Sequence, residues 1–251
     1  MAYSVDLKNQ VALITGGVQG IGLAIAKVLA EAGARIAVCD ILSKEDTITK
    51  NGLEEIAKAG NQDPVFINKD LSVENDCYRM IDTVIETCGR LDILVLNAAV
   101  VGKGGKWDAA FNVNVKSLYC TAEYAKPFLE KTKGRIVIMT SASIFSGGTG
   151  IPEYIATKAG AHSMIRFLAR ECAGIGVRVN GVAPAVIMTD MTLTRFGSEE
   201  NMLKHYENKL PLNRIGTVKD VANTVLFLAS DMSDWMCGET LLLDGGRMYL
   251  Q

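Results

Sequence analysis

Three observations predict a doubly wound parallel α/β fold. Short, continuously apolar runs recur along the chain, longer segments with apolar spacing near 3.6 residues stand between them, and a glycine cluster follows the first run. The runs read as buried strands: 10–15 (QVALIT), 35–40 (RIAVCD), 64–69 (PVFINK), 91–97 (LDILVLN), 135–140 (RIVIMT), 177–183 (VRVNGVA) and 239–244 (ETLLLD). The segments 20–33, 74–89, 111–131 and 153–173 read as helices. Continuous apolarity implies strands covered on both faces, and strict alternation implies crossover connections that make the sheet parallel. Only 184–216 is long and without pattern, and a substrate lid is expected there, at about 188–212. The 251 residues are expected to form one domain, 1–251.

Composition excludes several function classes. With 26 basic and 28 acidic residues, a net charge of −2 and no basic block, the surface a nucleic-acid binder needs is absent, and no nucleic-acid partner is expected. No apolar run approaches the roughly 18 residues of a membrane span, and the opening MAYSVDLKNQ has no signal pattern, so a cytoplasmic protein without a membrane partner is expected. Six cysteines are dispersed, without a CxxC pair, and read as reduced core thiols, with a disulfide or metal role as the alternative.

In an open α/β sheet, ligands bind beyond the carboxyl ends of the strands. After the first strand comes TGGVQGIG (15–22), in which Gly16, Gly20 and Gly22 frame Gln19 and Ile21 and lead straight into a helix. Glycines there let the backbone approach a pyrophosphate, which the N–H groups and dipole of the helix favour. The second strand ends in Asp40, placed to accept from an adenosine ribose and to repel a 2′-phosphate; no Arg or Lys stands at Gly17, Val18, Gln19 or Ile41. NAD is therefore expected over NADP. Asp70, with Leu71, follows the third strand and either meets an adenine edge or caps the next helix. Asn97, Ala98 and Ala99 follow the fourth and are small enough for a close ligand.

SASIFSGGTGIPEYIATK (141–158) carries a chemical trio. Tyr154 and Lys158 stand at i and i+4 near a helix start and share a face. A free tyrosine has a pKa of about 10, and a shift of roughly three units requires about 4 kcal/mol in favour of phenolate. A neighbouring ammonium and a positive nicotinamide could supply much of that. Tyr154 then exchanges the proton of an alcohol or ketone while hydride passes to or from NAD, Lys158 tunes Tyr154 and holds the cofactor ribose, and Ser141 bonds the same substrate oxygen.

Through TGGVQGIG, Asp40, NAA, NVNVKS, Ser141, YIATK, VNGVAPAVIMT and GETLLLDGG, the chain resembles the short-chain dehydrogenase/reductase family over essentially its full length. The resemblance implies a Rossmann-type sheet of seven strands and NAD(P)-dependent oxidoreduction of an alcohol or carbonyl. It implies that Asn114 is a fourth catalytic residue, holding a water in a proton relay from the lysine. It further implies that Ile187 and Thr189 meet the nicotinamide carboxamide where Pro184 and Ala185 turn the chain, and that the protein is a homo-oligomer, a tetramer or else a dimer. Two departures stand out. Ala99 and Ala185 occupy usual glycine positions, and the interval from Asn97 to Asn114 is several residues short on one flank of the cleft.

For substrate contacts the candidates are Ser143, Phe145, Glu153, Met191 and Phe196. Glu153 either accepts a substrate hydroxyl or caps its helix, the lid residues Met191, Leu193 and Phe196 either touch substrate or pack back onto the core, and His205 is a further possible partner. The expected substrate is a small secondary alcohol such as a sugar or polyol. The alternatives are 3-oxoacyl thioester reduction, hydroxysteroid oxidation, and a catalytically silent dinucleotide sensor or scaffold.

Overall fold

The computed structural model describes residues 5–148, 150–206 and 208–249, except the side chains of Met191, Arg195 and Tyr249. Seven strands, β1 (Val11–Thr15), β2 (Arg35–Asp40), β3 (Val65–Asn68), β4 (Ile93–Leu96), β5 (Arg135–Met139), β6 (Arg178–Pro184) and β7 (Thr240–Leu243), form one sheet in the order β3-β2-β1-β4-β5-β6-β7. Every pairing is parallel. All seven sequence runs are strands: β2 keeps the predicted bounds, β6 is shifted by one residue, β4 is three residues shorter, and the other four are shorter by one or two.

The helices divide between the two faces. On one, Met80 and Ile81 of α3 (Glu74–Cys88), Leu129 of α5 (Ser117–Thr132) and Ile165 and Leu168 of α7 (Pro152–Ala173) pack on the sheet. On the other lie Ile25 and Leu29 of α1 (Gly20–Glu31), Ile56 of α2 (Thr47–Gly60) and Val225 and Leu228 of α10 (Val218–Ala229). Burial on both faces is what makes the strands continuously apolar.

Helices not predicted from periodicity have recognisable local causes. The stripe of α2 is thin, with only Thr49, Gly52 and Ile56 buried, but Asp46 caps it by accepting from Ile48 N–H at 2.8 Å, and Asn61 closes it in the left-handed region at φ 52°. A capping box starts α10: the Thr217 hydroxyl accepts from Asp220 N–H, and the Asp220 carboxylate accepts from Thr217 N–H at 2.7 Å. The helix read over 111–131 is α4 (Trp107–Phe111), a π turn over Asn112–Lys116, and α5, with Ser117 N–H reaching back to Asn112 O. The segment 184–216 is not irregular. It carries α8 (Asp190–Phe196), capped by Thr189, and α9 (Glu199–Tyr206), and a parallel bridge ties Ile187 to Gly216.

At the centre, the chain order reverses between β1 and β4. The Thr15 hydroxyl accepts from the N–H groups of Asn97 and Ala98 at 2.9 and 3.0 Å, while Asn97 Nδ2 donates to Thr15 O and Gly16 O at 2.9 and 3.1 Å. Gly16 turns with φ +64°, and a Cβ on Gly22 would stand 1.9 Å from Gly16 O and 2.7 Å from Asn97 Nδ2. Only glycine lets α1 start this close to the strand ends. Gly22→Ala is therefore expected to destabilise the fold by about 1–3 kcal/mol through overpacking and to weaken dinucleotide binding; thermal unfolding and NADH fluorescence titration check it, and unchanged values for both would refute it.

Candidate active site

The strand ends enclose a cleft of about 450 Å³. It begins in the turn before α1, at Gly16, Gln19, Gly20, Ile21 and Gly22, passes Asp40 and Ile41 after β2 and Asp70 and Leu71 after β3, and reaches Asn97, Ala98 and Ala99 after β4. Ser141, Tyr154, Lys158, Pro184, Ala185, Ile187 and Thr189 line its far end. The sequence expectation thus brought the dinucleotide residues and the trio to one opening. Neither Ala99 nor Ala185 has positive φ, so alanine is free of strain at both glycine positions.

The cleft fits a dinucleotide on the structure's own evidence: the cradle between Gly16 and Gly22 is too tight for a side chain, and the N-terminus of α1 points into it. At the adenosine end, Asp40 is 8% exposed. Burial raises its pKa, opposed by hydrogen bonds from the N–H groups of Leu42, Val18 and Ile41. Among the described residues no basic side chain pairs with Asp40. Lys69, also on the wall, instead bridges to Asp76 at 3.2 Å. Asp70 lines the cleft and accepts from Ser72 N–H at 2.9 Å in a local turn; the N-cap of α3 is Val73, which makes no side-chain cap bond, so Asp70 does not cap that helix.

At the other end, α7 starts at Pro152 and carries Tyr154 and Lys158 on one face. The Lys158 side chain is buried, its Nζ 5.8 Å from the centroid of the Tyr154 ring and donating to Met139 O at 2.8 Å. Burial lowers its pKa to about 8. Burial also raises the Tyr154 pKa, opposed by a hydrogen bond from Ser141. The lysine alone therefore does not bring the phenol down. Ser141 Oγ accepts from the Ser143 hydroxyl and N–H at 3.0 and 3.2 Å, which leaves its own proton to donate.

Asn114 sits elsewhere. Its Oδ1 accepts from Val100 N–H at 2.8 Å, and its Nδ2 donates to Val100 O and Thr157 Oγ1 at 2.8 and 2.9 Å. It faces a void of about 10 Å³ shared with Thr15, Ser117, Thr121 and Lys158, roughly the room of one water molecule.

Four of the five substrate candidates are off the cleft wall. Ser143, the first residue of the short helix α6 (Ser143–Ser146), is buried and spent on Ser141. Glu153 is buried and accepts from Gly105 N–H at 2.7 Å. Phe145 packs edge-on against His162, 5.8 Å between ring centroids, on an exposed surface. Phe196, with Leu193, joins a small core around Met202, Leu210 and Ile215, and its ring lies against His205 and Tyr206 at 5.2 and 5.7 Å. The Met191 side chain lies outside the described residues. Wall residues that sequence reasoning missed are Cys39, Lys69, Val100, Val113, Met139, Thr140, Asp190 and Thr192. Cys39, Lys69, Met139 and Thr140 lie inside runs read as strands, and Val100 directly follows Asn97-Ala98-Ala99; Val113, Asp190 and Thr192 sit in the π turn and α8, which periodicity did not reveal. The cysteines are free: Cys39, Cys77, Cys120 and Cys172 are buried, Cys88 is half-buried and Cys237 exposed.

Lys158 also sets a pH dependence. Its ammonium is penalised in the fold at every pH below about 8, and the penalty disappears as pH rises through the unfolded value of about 10.4. Lys158→Met is expected to raise the melting temperature relative to the natural protein at pH 7, with the difference shrinking toward pH 10. A difference independent of pH over that range would contradict this.

Comparison with known proteins agrees with this geometry. A family model described as enoyl-(acyl carrier protein) reductase matches residues 16–247. The chain is similar to 3-oxoacyl-[acyl-carrier-protein] reductase FabG of Thermotoga maritima, 35% identical over 250 residues that span 96% of this chain and 98% of the relative. It is 31% identical to NADPH-dependent aldehyde reductase 1, chloroplastic, of Arabidopsis thaliana, over 96% of this chain and 87% of the relative. A short-chain type dehydrogenase/reductase from Mycobacterium marinum superimposes with a TM-score of 0.87 at 28% identity, over 97% of both chains. With the strand order, the glycine turn and the Ser141, Tyr154 and Lys158 cluster all in place, the chain belongs to the short-chain dehydrogenase/reductase family.

Proposed function

We propose that this protein is an NAD(H)-dependent oxidoreductase that interconverts a secondary alcohol and its ketone, with a 3-oxoacyl thioester and its 3-hydroxy form as the substrate pair. The observation that carries the reaction is the single cleft joining Asp40 to Ser141, Tyr154 and Lys158. The thioester is favoured by the names of relatives such as that of Thermotoga maritima and Staphylococcus aureus, 35 and 36% identical. It is favoured too by the loss of polar candidates: Ser143 and Glu153, which a sugar or polyol would want, are buried on other partners.

The chain's own groups divide the work. The glycine turn and the α1 N-terminus hold the diphosphate, and Asp40 holds the adenosine ribose. Ile187 and Thr189 hold the carboxamide, and Asp70 and Leu71 border the adenine. When bound, the nicotinamide supplies the hydride donor or acceptor and, when oxidised, a positive charge. Tyr154 gives its phenolic proton to the ketone oxygen in reduction, or takes it from the alcohol in oxidation, and Ser141 donates to the same oxygen. Lys158 holds the nicotinamide ribose and favours the phenolate. It is resupplied with protons through the small void beside Asn114, whose side chain fixes the void's wall.

The segment 188–212 acts as the lid through α8 and α9. The exposed Phe111, Tyr119 and Phe167 support a homo-oligomer, most simply a tetramer, else a dimer. Among the described residues no helix is long and apolar enough to cross a membrane.

The reading is tested with NADH and NADPH, each with acetoacetyl-coenzyme A, a steroid ketone and a keto-sugar. NADH oxidation with the thioester supports it; turnover only with the keto-sugar would restore the polyol reading, and NADH binding without any turnover would favour the silent sensor. Tyr154→Phe is expected to keep fold and NADH affinity and to lose at least about 10²-fold in kcat. Because Ile41 is 66% exposed beside Asp40, the pair Asp40→Ala and Ile41→Arg opens a phosphate site. It is expected to raise the NADP over NAD ratio of kcat/KM on the order of 10²-fold. Unaltered preference would mean that Asp40 does not select the cofactor.

A further inference from the structure

The short interval after Asn97 closes on the catalytic helix at two points. At one end the Asn114 amide is paired with both backbone groups of Val100 and with Thr157 Oγ1, as above. At the other, Gly105 N–H donates to Glu153 Oε1 at 2.7 Å, from a turn in which Gly102, Gly104 and Gly105 all have positive φ (+70°, +87° and +81°). Lys106 N–H closes that turn on Gly102 O at 3.1 Å. The fit is tight: a Cβ on Gly102 would stand 2.7 Å from Ala110 Cβ and 3.3 Å from Glu153 Cβ.

Glu153 directly precedes Tyr154 and is 5% exposed. A carboxylate taken from water is retained where a donor compensates it, and here that donor belongs to the turn, not to α7. Val100, through which the chain leaves β4 for this turn, lines the cleft.

We propose that Glu153 is a positioning residue for the substrate: its buried carboxylate clamps the 102–106 turn onto the first turn of α7, setting the wall beside Tyr154 that a longer segment would otherwise build. The proposal rests on the reading of Tyr154 as the proton-exchanging group. Among the described residues, no hydrogen bond ties the Glu153 carboxylate or the 102–106 turn to Asp40 or to the glycine turn before α1, so the clamp acts on the substrate side.

Glu153→Ala is expected to raise KM for acetoacetyl-coenzyme A at least about tenfold through misplacement of the wall. NADH affinity, read by fluorescence titration, stays unchanged. Native trypsin should then cut at Lys103 and Lys106, which the clamped turn protects. Glu153→Gln, whose amide oxygen accepts the same N–H, should restore both KM and trypsin resistance. An alanine variant with unchanged KM and unchanged resistance overturns the proposal, as does a glutamine variant impaired as severely as the alanine one. If the alanine variant does not fold, Glu153→Asp, one methylene shorter, takes its place against glutamine with the same outcomes. Trypsin resistance and NADH titration need no turnover, so an enzyme that leaves the thioester untouched fails the functional reading while the clamp is still decided.

Discussion

The contact on which everything else depends is the one between the carboxyl ends of β1 and β4. Two parallel strands that diverge in chain direction leave a gap at their tops, and here it is held open at a fixed width by Thr15 and Asn97, each bonded to the other's backbone. Gly16 and Gly22 then let α1 begin almost in contact with that staple. A wider junction would move the α1 N-terminus away from an anion, and a narrower one would close the cleft. The apolar cores on the two faces stabilise the sheet, but this polar junction determines what it can bind.

A second set of bonds fixes the reacting end relative to the first. Lys158 reaches across from α7 to Met139 O at the top of β5, so α7 is registered on the sheet by the side chain that the proposed reading assigns to the phenol. The cost is visible in both groups: burial pushes the lysine toward its neutral form and the tyrosine toward its protonated form. Without a dinucleotide the pair is thus biased against the ion pair that oxidation requires. The positive charge of an oxidised nicotinamide would favour the phenolate half of that pair, although it would repel the ammonium half, so it would act on Tyr154 and not on Lys158.

The parts legible in the sequence were those that a strong local constraint imposes. The strands stood out because each carries a mainly apolar run, fully buried in β1 and β4, and the glycines stood out because Gly16 and Gly20 turn with positive φ and a Cβ on Gly22 would strike Gly16 O. The trio was legible through the i, i+4 spacing of Tyr154 and Lys158. The helices α2, α8 and α9 were not: the buried stripe of α2 is thin, and α8 and α9 pack on a satellite core formed only once the chain has folded. For α10 the signal was present, in the Thr217 to Asp220 box, but lay outside the periodicity pattern. The role of Glu153 could not be read because its partner is a backbone N–H 48 residues away, and a backbone donor leaves no mark on composition. Substrate residues failed for a related reason: Phe145 and Phe196 are near the site in sequence, yet each finds an aromatic partner that turns it elsewhere.

The cofactor question shows how far a local argument can run against a family likeness. A relative of this fold is named for its use of NADPH, yet Asp40 places a carboxylate in the cleft with three backbone N–H groups directed at it. Those donors oppose the upward push of burial, so the fold spends backbone hydrogen bonds on favouring a negative charge at the end of β2. A 2′-phosphate brought there would meet that charge in a partly dehydrated setting, where Coulomb repulsion is stronger than in bulk water, with no cation to offset it. Overall similarity reports the sheet, the glycine turn and the proton-exchanging trio, which are common to either cofactor. On the proposed reading, the choice between cofactors rests on one strand end and its immediate neighbours, where the carboxylate of Asp40 argues for NAD.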